Sequence, residues 1–530
     1  MLYNFFSDNF EYDECVSKGS CSIPPSISAL QEVIVICLRQ LAYYILQLEN
    51  FGQDCSVESN IIIEALSTVI SSTDYNDEQL LNMVSKVYYH VITSRQRYIN
   101  LCGENNVTSK ELKSSLIITP QMNLSQIMSL GEKAFLTKYK KTPRLQKNMA
   151  DILLAVAKSV AVNVAKLMDY SCEVKEYVRK ILTALELLNH SRASLEKLKN
   201  NIKTLAELDK KLIGELATAQ NKYFGAVCLS EVSLSTTKGK AILVSGESLL
   251  DLNNVLEAVK GKDIDVYTHD ELIVAHTFEK FKSYENLKGH YGTCSGNCVF
   301  DFATFPGAIL LTRNSNVNTE YLYRGRLFTT SSVLPKGVVP VKNQDYSALI
   351  KSAENAKGFA KGREFPAEVV GYDADEFDEL CKNLSSKFSS GEIERLIIVG
   401  PTIQTYSQDG YFEKLMKLAG KKDYVISFSY SLPKDNCTYI NLASSLPMIY
   451  PLLNKLFKNI PIDSEKIAFF ITKCDVTALS HMIALKNLGV KNIFFSNCQP
   501  KINPSITSTL SSIYGIKLIS IPEDDINFVP

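Results

Sequence analysis

A change of hydrophobic period near residue 239 constrains the fold of this 530-residue chain more than any other feature. Up to about residue 225, apolar residues recur at the spacing of amphipathic α-helices. These segments are Ile27–Phe51, Ile61–Ser71, Asp77–Leu101, Met149–Asp169, Cys172–His190 and Leu195–Tyr223. Because helices of this kind bury their apolar faces against each other, the pattern predicts an N-terminal α-helical bundle domain over residues 1–225.

The remainder of the chain has the pattern of strands that alternate with helices. Continuous apolar runs, typical of strands buried in a parallel sheet, lie at Ala241–Val244, Ile264–Tyr267, Ala308–Leu311, Leu396–Val399, Tyr424–Phe428, Ala468–Ile471, Asn492–Phe495 and Ile516–Ile519. The helical segments between them are Leu249–Val259, Phe412–Leu418, Thr477–Leu488 and Ile506–Ile513. A polar stretch at Asn355–Arg363 separates two groups of strands. We therefore predict a multidomain α plus α/β fold, with Rossmann-like α/β domains over residues 226–360 and 361–530.

Charge and hydropathy argue against several classes of function. Lys plus Arg number 57, as do Asp plus Glu, so no overall field favours nucleic acid or an anionic membrane as a partner. The first residues contain no basic segment followed by an apolar core. The most apolar helical stretch is interrupted by Lys158, Asn163 and Lys166. We expect a cytoplasmic protein without a secretion signal or a membrane span.

The thirteen cysteines show no strong metal-binding spacing. No CxxC occurs, and the pair Cys294 and Cys298 forms only a CxxxC, which is a weak metal signal. An odd number of widely scattered cysteines is not a disulfide framework. No GxGxxG, Walker or Gly-x-Ser-x-Gly pattern follows a strand, so no motif supports a nucleotide site or a hydrolase nucleophile.

Polar residues at the carboxyl ends of the predicted strands remain as candidates, because open parallel sheets bind ligands there. They are Gly246-Glu247, Thr268–Glu271, Arg313–Ser315, Gly400–Thr402, Ser429-Tyr430 and Cys474-Asp475. Several have a structural interpretation. Ser248-x-x-Asp251 and Thr268-x-x-Glu271 fit capping boxes, and Asp475 can cap the helix that follows it. His269 is typical of a hydrogen-bonded polar neighbour. Glu247 is the stronger candidate, because a carboxylate directly behind a buried strand needs a partner.

The stretch Gly239–Thr330 resembles the hybrid-cluster protein family, also called the prismane or hydroxylamine reductase family. Within this stretch the likeness lies in Lys240–Gly246, Leu249–Leu252, Val266–His269, Ala275-His276, Phe305–Leu310, Asn314 and Arg326–Thr330. The tail resembles the family as well, through Leu488–Ile493 and Tyr514–Lys517. Cys15 and Cys21 fall where the family keeps two thiols of its N-terminal cluster. The resemblance implies a helical domain and two Rossmann-like domains, which bind a 4Fe-4S cubane and a hybrid 4Fe-2S-2O cluster. It also implies reduction of hydroxylamine or nitric oxide with electrons from a reductase partner.

Carried over residue by residue, the resemblance provides few metal ligands. The leading Cys-x-x-Cys of the N-terminal cluster falls on Tyr3 and Phe6. At the hybrid cluster, the family's His falls on Glu247, its two Glu on Glu271 and Asp475, its Cys residues on Ser315, Thr402, Tyr430 and Ser445, and a Lys on Thr477. Only Glu271 is identical. The correspondence around Thr402 and Ser445 can shift by a residue or two, and no Cys lies within that range.

Iron–sulfur clusters are held by thiolates, and protonated hydroxyls are weak donors beside sulfide-bridged iron. The sequence therefore predicts a scaffold that has lost the hybrid cluster and its reductase chemistry, binds no cofactor, and serves as a non-catalytic binding or structural protein. Two alternatives stay open. One is a hydroxylamine reductase with altered ligation through Cys294, Cys298, Cys437 or Cys474, which needs a redox partner protein. The other is a divalent-metal site for Mn²⁺ or Mg²⁺ made of the oxygen ligands Glu247, Glu271 and Asp475.

Overall fold

A computed structural model describes most of the chain. The described residues are 25–68, 76–112, 117–119, 122–138, 142–190, 193–292, 298–313, 322–400, 406–428, 435–471, 476–495 and 504–528. The chain divides into two compact units. The first comprises Met1–Leu212, Asp475–Ala484 and Gln499–Thr509, and the second comprises Ile213–Cys474, Leu485–Cys498 and Leu510–Pro530. The domain boundaries expected after residues 225 and 360 stay predictions.

The first unit is built from helices, as predicted. Those that the structure describes in its N-terminal part are α1 (Pro25–Asn50), α2 (Ser56–Thr68), α3 (Asp77–Glu104), α4 (Leu124–Lys138), α5 (Arg144–Asp169), α6 (Lys175–Leu187) and α7 (Leu195–Phe224), which continues into the second unit. The sequence pattern missed α4, whose centre is Gly131, a residue that disfavours helices. The structure shows the reason for this glycine, because a Cβ there would overlap the backbone carbonyl of Ala29 in α1.

Helix α1 is the central helix of the bundle. It contacts α2, α3, α4 and α6. By length and composition alone the segment Ala29–Asn50 could cross a membrane, but most of it is buried inside the protein. A buried core helix has the same composition as a membrane span, so this segment is weak evidence for a membrane.

The second unit contains most of the strands and short helices. Its strands are β1 (Ser230–Val232), β2 (Lys240–Ser245), β3 (Ile264–His269), β4 (Leu287–His290), β5 (Ala308–Leu311), β6 (Leu327–Thr329), β7 (Val339–Pro340), β8 (Glu368–Val370), β9 (Arg395–Val399), β10 (Asp423–Ser427), β11 (Cys437–Tyr439), β12 (Ile467–Ile471), β13 (Asn492–Phe495) and β14 (Ile516–Leu518). The further α-helices of the chain are α8 (Leu249–Ala258), α9 (Glu279–Lys282), α10 (Cys298–Thr304), α11 (Ser347–Asn355), α12 (Ala374–Ser390), α13 (Tyr406–Leu418), α14 (Leu446–Leu456), α15 (Val476–Asn487), α16 (Pro504–Tyr514) and α17 (Pro522–Asp525). Helices α15 and α16 each contain residues of both units.

Two parallel sheets of six strands organise the second unit. Their strand orders are β4-β3-β2-β5-β6-β7 and β11-β10-β9-β12-β13-β14, and each neighbouring pair within them is parallel. The predicted α/β class with parallel sheets is therefore confirmed. Chain direction across the sheet reverses between β2 and β5 in the first sheet and between β9 and β12 in the second. Such switch points are where open α/β sheets bind ligands.

A buried carboxylate joins three helices of the first unit. The Asp209 side chain in α7 accepts hydrogen bonds from the Ser159 hydroxyl at 2.6 Å and the Asn163 amide at 2.8 Å, both in α5. The Ser480 hydroxyl in α15 donates a third bond at 2.6 Å. Burial raises the pKa of Asp209, and the three donors act against that rise. Asn163, which interrupts an apolar stretch of the sequence, therefore belongs to a buried polar network.

Candidate functional site

The ends of β2, β3 and β5 are hydrogen-bonded to one another at the switch point of the first sheet. Gly246, directly after β2, has a φ of 125° and donates its N–H to the carbonyl of His269 at 3.4 Å. The N–H of Glu247 donates to Thr312 Oγ1 at 3.2 Å, and the N–H of Thr312 donates to the carbonyl of Ser245 at 2.9 Å. These bonds fix the backbone of Glu247, whose side chain is half-buried at this edge.

His269, the last residue of β3, is fully buried and uses both ring nitrogens. Nδ1 lies 2.8 Å from Ser245 Oγ, and Nε2 lies 3.1 Å from Asp301 Oδ2. A buried polar ring with two partners holds neighbouring elements together and leaves no nitrogen for a metal. The prediction that His269 is a hydrogen-bonded polar neighbour is confirmed.

The two predicted capping boxes have different outcomes. Ser248 caps α8, because its hydroxyl accepts the N–H of Asp251 at 3.2 Å. The Thr268-x-x-Glu271 box is wrong, since Thr268 lies inside β3 and its Oγ1 is 2.9 Å from His276 Nε2 and 3.0 Å from His290 Nδ1. Burial lowers the pKa of His276 to about 4, so its neutral ring can accept the Thr268 hydroxyl proton.

Glu271 is directed toward a different partner, the turn before α14. A 3-10 helix, Asp270–Thr277, follows β3 and carries Glu271. The hydroxyl of Ser444, a residue 4% exposed, donates to Glu271 Oε1. Ser445 directly precedes α14, and its carbonyl accepts the N–H of Met448 at 3.0 Å. Glu271 thus contacts the residue next to Ser445, one position from the predicted site and within the shift that the family resemblance allows.

Both sides of the Glu271–Ser444 contact follow a strained residue. Asp270 has a φ of 61° and Ala443 a φ of 49°, the left-handed region that costs non-glycine residues roughly 1–3 kcal/mol each. The N–H of Ala443 donates to Asn441 Oδ1 at 3.1 Å. The amide of Asn441 in turn donates to Glu368 Oε1 in β8 at 2.6 Å. A strained backbone of this kind persists only where surrounding contacts stabilise it. These hydrogen bonds therefore help to keep Glu271 and Ser444 in contact.

We expect Ser444→Ala to lower the free energy of unfolding by about 1–2 kcal/mol, because it leaves a half-buried carboxylate without its hydroxyl donor. Together with Glu271→Gln, it should give a coupling energy of roughly 1 kcal/mol in a double-mutant cycle measured by urea unfolding. Ser445→Ala is the matched control, since its side chain makes no cap hydrogen bond, and it should change stability by less than about 0.5 kcal/mol. Equal effects of the two serine variants would contradict the contact.

The described cysteine candidates lie in separate cores. Cys298, the first residue of α10, is fully buried in a hydrophobic cluster with Tyr267 and Phe302. Cys437, the first residue of β11, packs against the hydrophobic core of the second sheet. The structure does not bring these two thiols into one site. The following residues of interest lie outside the described part of the chain: Tyr3, Phe6, Cys15, Cys21, Cys294, Ser315, Thr402, Tyr430, Cys474 and Asp475.

The described part of the chain does not fit an iron–sulfur or hybrid cluster. Three of the family's ligand positions lie within it, namely Glu247, Glu271 and Ser445, and they offer oxygen atoms only. Within the described ranges, no group of three or more His, Cys, Asp or Glu side chains could hold a metal ion. Because Asp475 lies outside these ranges, the three-carboxylate site for Mn²⁺ or Mg²⁺ stays a prediction.

The helical first unit and the two parallel sheets of the second define a multidomain α plus α/β protein with polar side chains at the switch point of one sheet. Residues 11–428 match the model of the Prismane/CO dehydrogenase family, and the chain belongs to this family. The family resemblance of the sequence is thereby confirmed.

Several relatives of this chain are named hydroxylamine reductase. The chain is 25% identical over 533 residues to the one from Thermodesulfovibrio yellowstonii, covering 97% of each protein. It is 22% identical over 542 residues to that from Acidiphilium cryptum, covering 96% of this chain and 94% of the relative. Carbon monoxide dehydrogenase IV from Carboxydothermus hydrogenoformans aligns in structure with a TM-score of 0.47 at 12% identity, covering 96% of this chain and 89% of that one.

Proposed function

We propose that this chain is a hybrid-cluster protein scaffold that has lost the hybrid cluster and its reductase chemistry. It acts as a cytoplasmic binding or structural protein and needs no cofactor. The observation that carries this proposal is the contact between Glu271 and Ser444. Glu271 is the one hybrid-cluster ligand position at which this chain has the family's residue, and its carboxylate accepts a hydrogen bond from the Ser444 hydroxyl, in the turn where the resemblance places a thiol.

Donor chemistry supports the proposal. A serine hydroxyl keeps its proton at neutral pH and is a hard donor, whereas sulfide-bridged iron is held by thiolate. Some of the cysteines that the structure describes lie away from the family's ligand positions and are deeply buried. Burial raises the pKa of Cys37 to about 12, which disfavours its thiolate form. Such a thiol packs as a small apolar group.

Bound metal normally adds folding free energy, so a chain without it depends on other contacts. The hydrogen bonds that join Gly246, Glu247 and Thr312 to the neighbouring strand ends supply such contacts at the first switch point. The Glu271–Ser444 bond links that edge to the turn before α14. We infer that packing and hydrogen bonding stabilise this edge in place of a metal centre.

Metal analysis of the whole protein tests the proposal. The chain is expressed together with iron–sulfur assembly proteins and purified without oxygen, and iron, acid-labile sulfide and the visible spectrum are measured. We expect less than about one iron atom per chain and no thiolate-to-iron absorption. The hydroxylamine reductase of Thermodesulfovibrio yellowstonii, prepared in parallel, is the control for the assembly conditions. Iron and sulfide in stoichiometric amounts would overturn the proposal.

The names of the relatives favour one alternative, a hydroxylamine reductase with altered iron–sulfur ligation. It requires thiols other than those at the family's positions, and Cys474 and Cys437 are the nearest in sequence to Asp475 and Tyr430. It also requires a redox partner protein to supply electrons. A cluster whose spectrum disappears on Cys474→Ser or Cys437→Ser would establish it.

A further inference from the structure

Three lysines converge near one edge of the second sheet. Lys486, in the last turn of α15, is half-buried, and its Nζ donates to the carbonyl of Lys491 at 2.7 Å. Lys491 directly precedes β13, and Lys517 lies in the edge strand β14. Gly515, two residues before Lys517, lies close to the Lys486 amine, because a Cβ at Gly515 would be only 3.7 Å from the Lys486 Nζ. The Lys517 Nζ lies 5.4 Å from the centre of the Phe494 ring.

The charged neighbours that act on Lys486 are both cations. Burial is the larger cause and the positive charges of Lys517 and Lys491 add to it, and together they lower the pKa of Lys486 to about 8. The amine is therefore uncharged near neutral pH in a larger fraction of molecules than an ordinary lysine is. A neutral amine keeps two hydrogens, so Nζ can donate one to the Lys491 carbonyl while its lone pair stays available. Partial desolvation beside other cations is how lysines become nucleophiles.

We propose that Lys486 is a reactive amine that forms an imine with aldehydes carrying a phosphate group, and that Lys491 and Lys517 attract the phosphate. The lone pair of Nζ attacks the carbonyl carbon and a C=N bond replaces the C=O bond. The carbonyl oxygen leaves as water with both amine hydrogens, so no oxidant or further reactant is needed. This site is independent of the proposed loss of the cluster.

Labelling of the full-length protein with pyridoxal 5′-phosphate tests the proposal. Limiting reagent is added at near-neutral pH, the imine is reduced with borohydride, and labelled peptides are quantified by mass spectrometry. We expect Lys486 to be labelled at least about tenfold faster than Lys458, an exposed lysine that serves as the internal reference. Lys486→Arg, which keeps the charge, should remove this label without changing thermal unfolding.

Two further measurements distinguish attraction of the phosphate group by Lys491 and Lys517 from the intrinsic reactivity of the Lys486 amine. Pyridoxal, which lacks the phosphate, should label Lys486 about tenfold more slowly than pyridoxal 5′-phosphate. The double variant Lys491→Gln, Lys517→Gln should lose a similar factor with the phosphorylated reagent. Labelling of Lys486 at the rate of Lys458, or at the same rate with both reagents, would overturn the proposal.

Discussion

Hydroxylamine supplied with a reduced dye should be turned over by this protein no faster than by a blank that contains the same amount of free iron. Against the hydroxylamine reductase of Thermodesulfovibrio yellowstonii, loaded and assayed in parallel, the rate should be lower by at least about a thousandfold, or roughly 4 kcal/mol in the barrier. The physical reason is the donor set. Among the described ligand positions, the Glu247 carboxylate lies where the family resemblance places an imidazole and the Ser445 hydroxyl lies where it places a thiolate, while Glu271 is unchanged.

The same assay also tests the alternative, a hydroxylamine reductase with altered iron–sulfur ligation. Turnover above the blank that disappears on Cys474→Ser or Cys437→Ser would show that thiols elsewhere hold a working cluster, and it would contradict a non-catalytic scaffold. The control is Cys381→Ser, since Cys381 lies in α12 and burial raises the pKa of its thiol to about 11. This substitution should change no activity under either hypothesis.

Gly307→Val should lower the free energy of unfolding by about 3 kcal/mol, the upper part of the range for overpacking a core. Gly307 directly precedes β5 and lies against β2 at the centre of the first sheet. A Cβ there would overlap the backbone carbonyl oxygen of Ala241 and lie 2.8 Å from Cε1 of Phe305. The backbone of β2 cannot move away, because it is hydrogen-bonded to β3 and β5.

Urea unfolding followed by circular dichroism measures this effect. Gly325→Ala is the matched control, since an added Cβ there would have no atom within 4 Å beyond its neighbours in the chain, and it should change stability by less than about 0.5 kcal/mol. A Gly307→Val protein that unfolds at the same urea concentration as the wild type would show that the two strands do not approach this closely.

Long apolar runs made the centres of both sheets predictable. The predicted runs at Ala308–Leu311 and Asn492–Phe495 coincide with β5 and β13, because a strand buried on both faces must be apolar throughout. The edge strands β4, β7 and β11 escaped prediction, whereas the run Ile516–Ile519 marked the edge strand β14. The strand β11 has three residues, all half-buried, so no apolar run marks it, and its backbone pairing with β10 defines it.

Helix α14 was missed for a related reason. It contains Pro447 in its first turn and Pro451 in its interior, and both residues read as helix breakers in a sequence. The first turn tolerates proline, because its N–H groups have no partner within the helix. Seven of the eleven residues of α14 are buried, so packing within the second unit compensates for the internal proline.

The sequence alone determined which donor atoms stand at the strand ends, because the residue type at a position decides whether its side chain offers oxygen or sulfur. Folding decided which of those groups meet. Ser444 and Glu271 are 173 residues apart, and only the crossing of a 3-10 helix with the turn before α14 brings their side chains together. Lys517 lies near Lys486 for the same reason, since contacts between distant segments follow from sheet order and helix placement, whereas Lys491 is a local neighbour of Lys486 in the sequence.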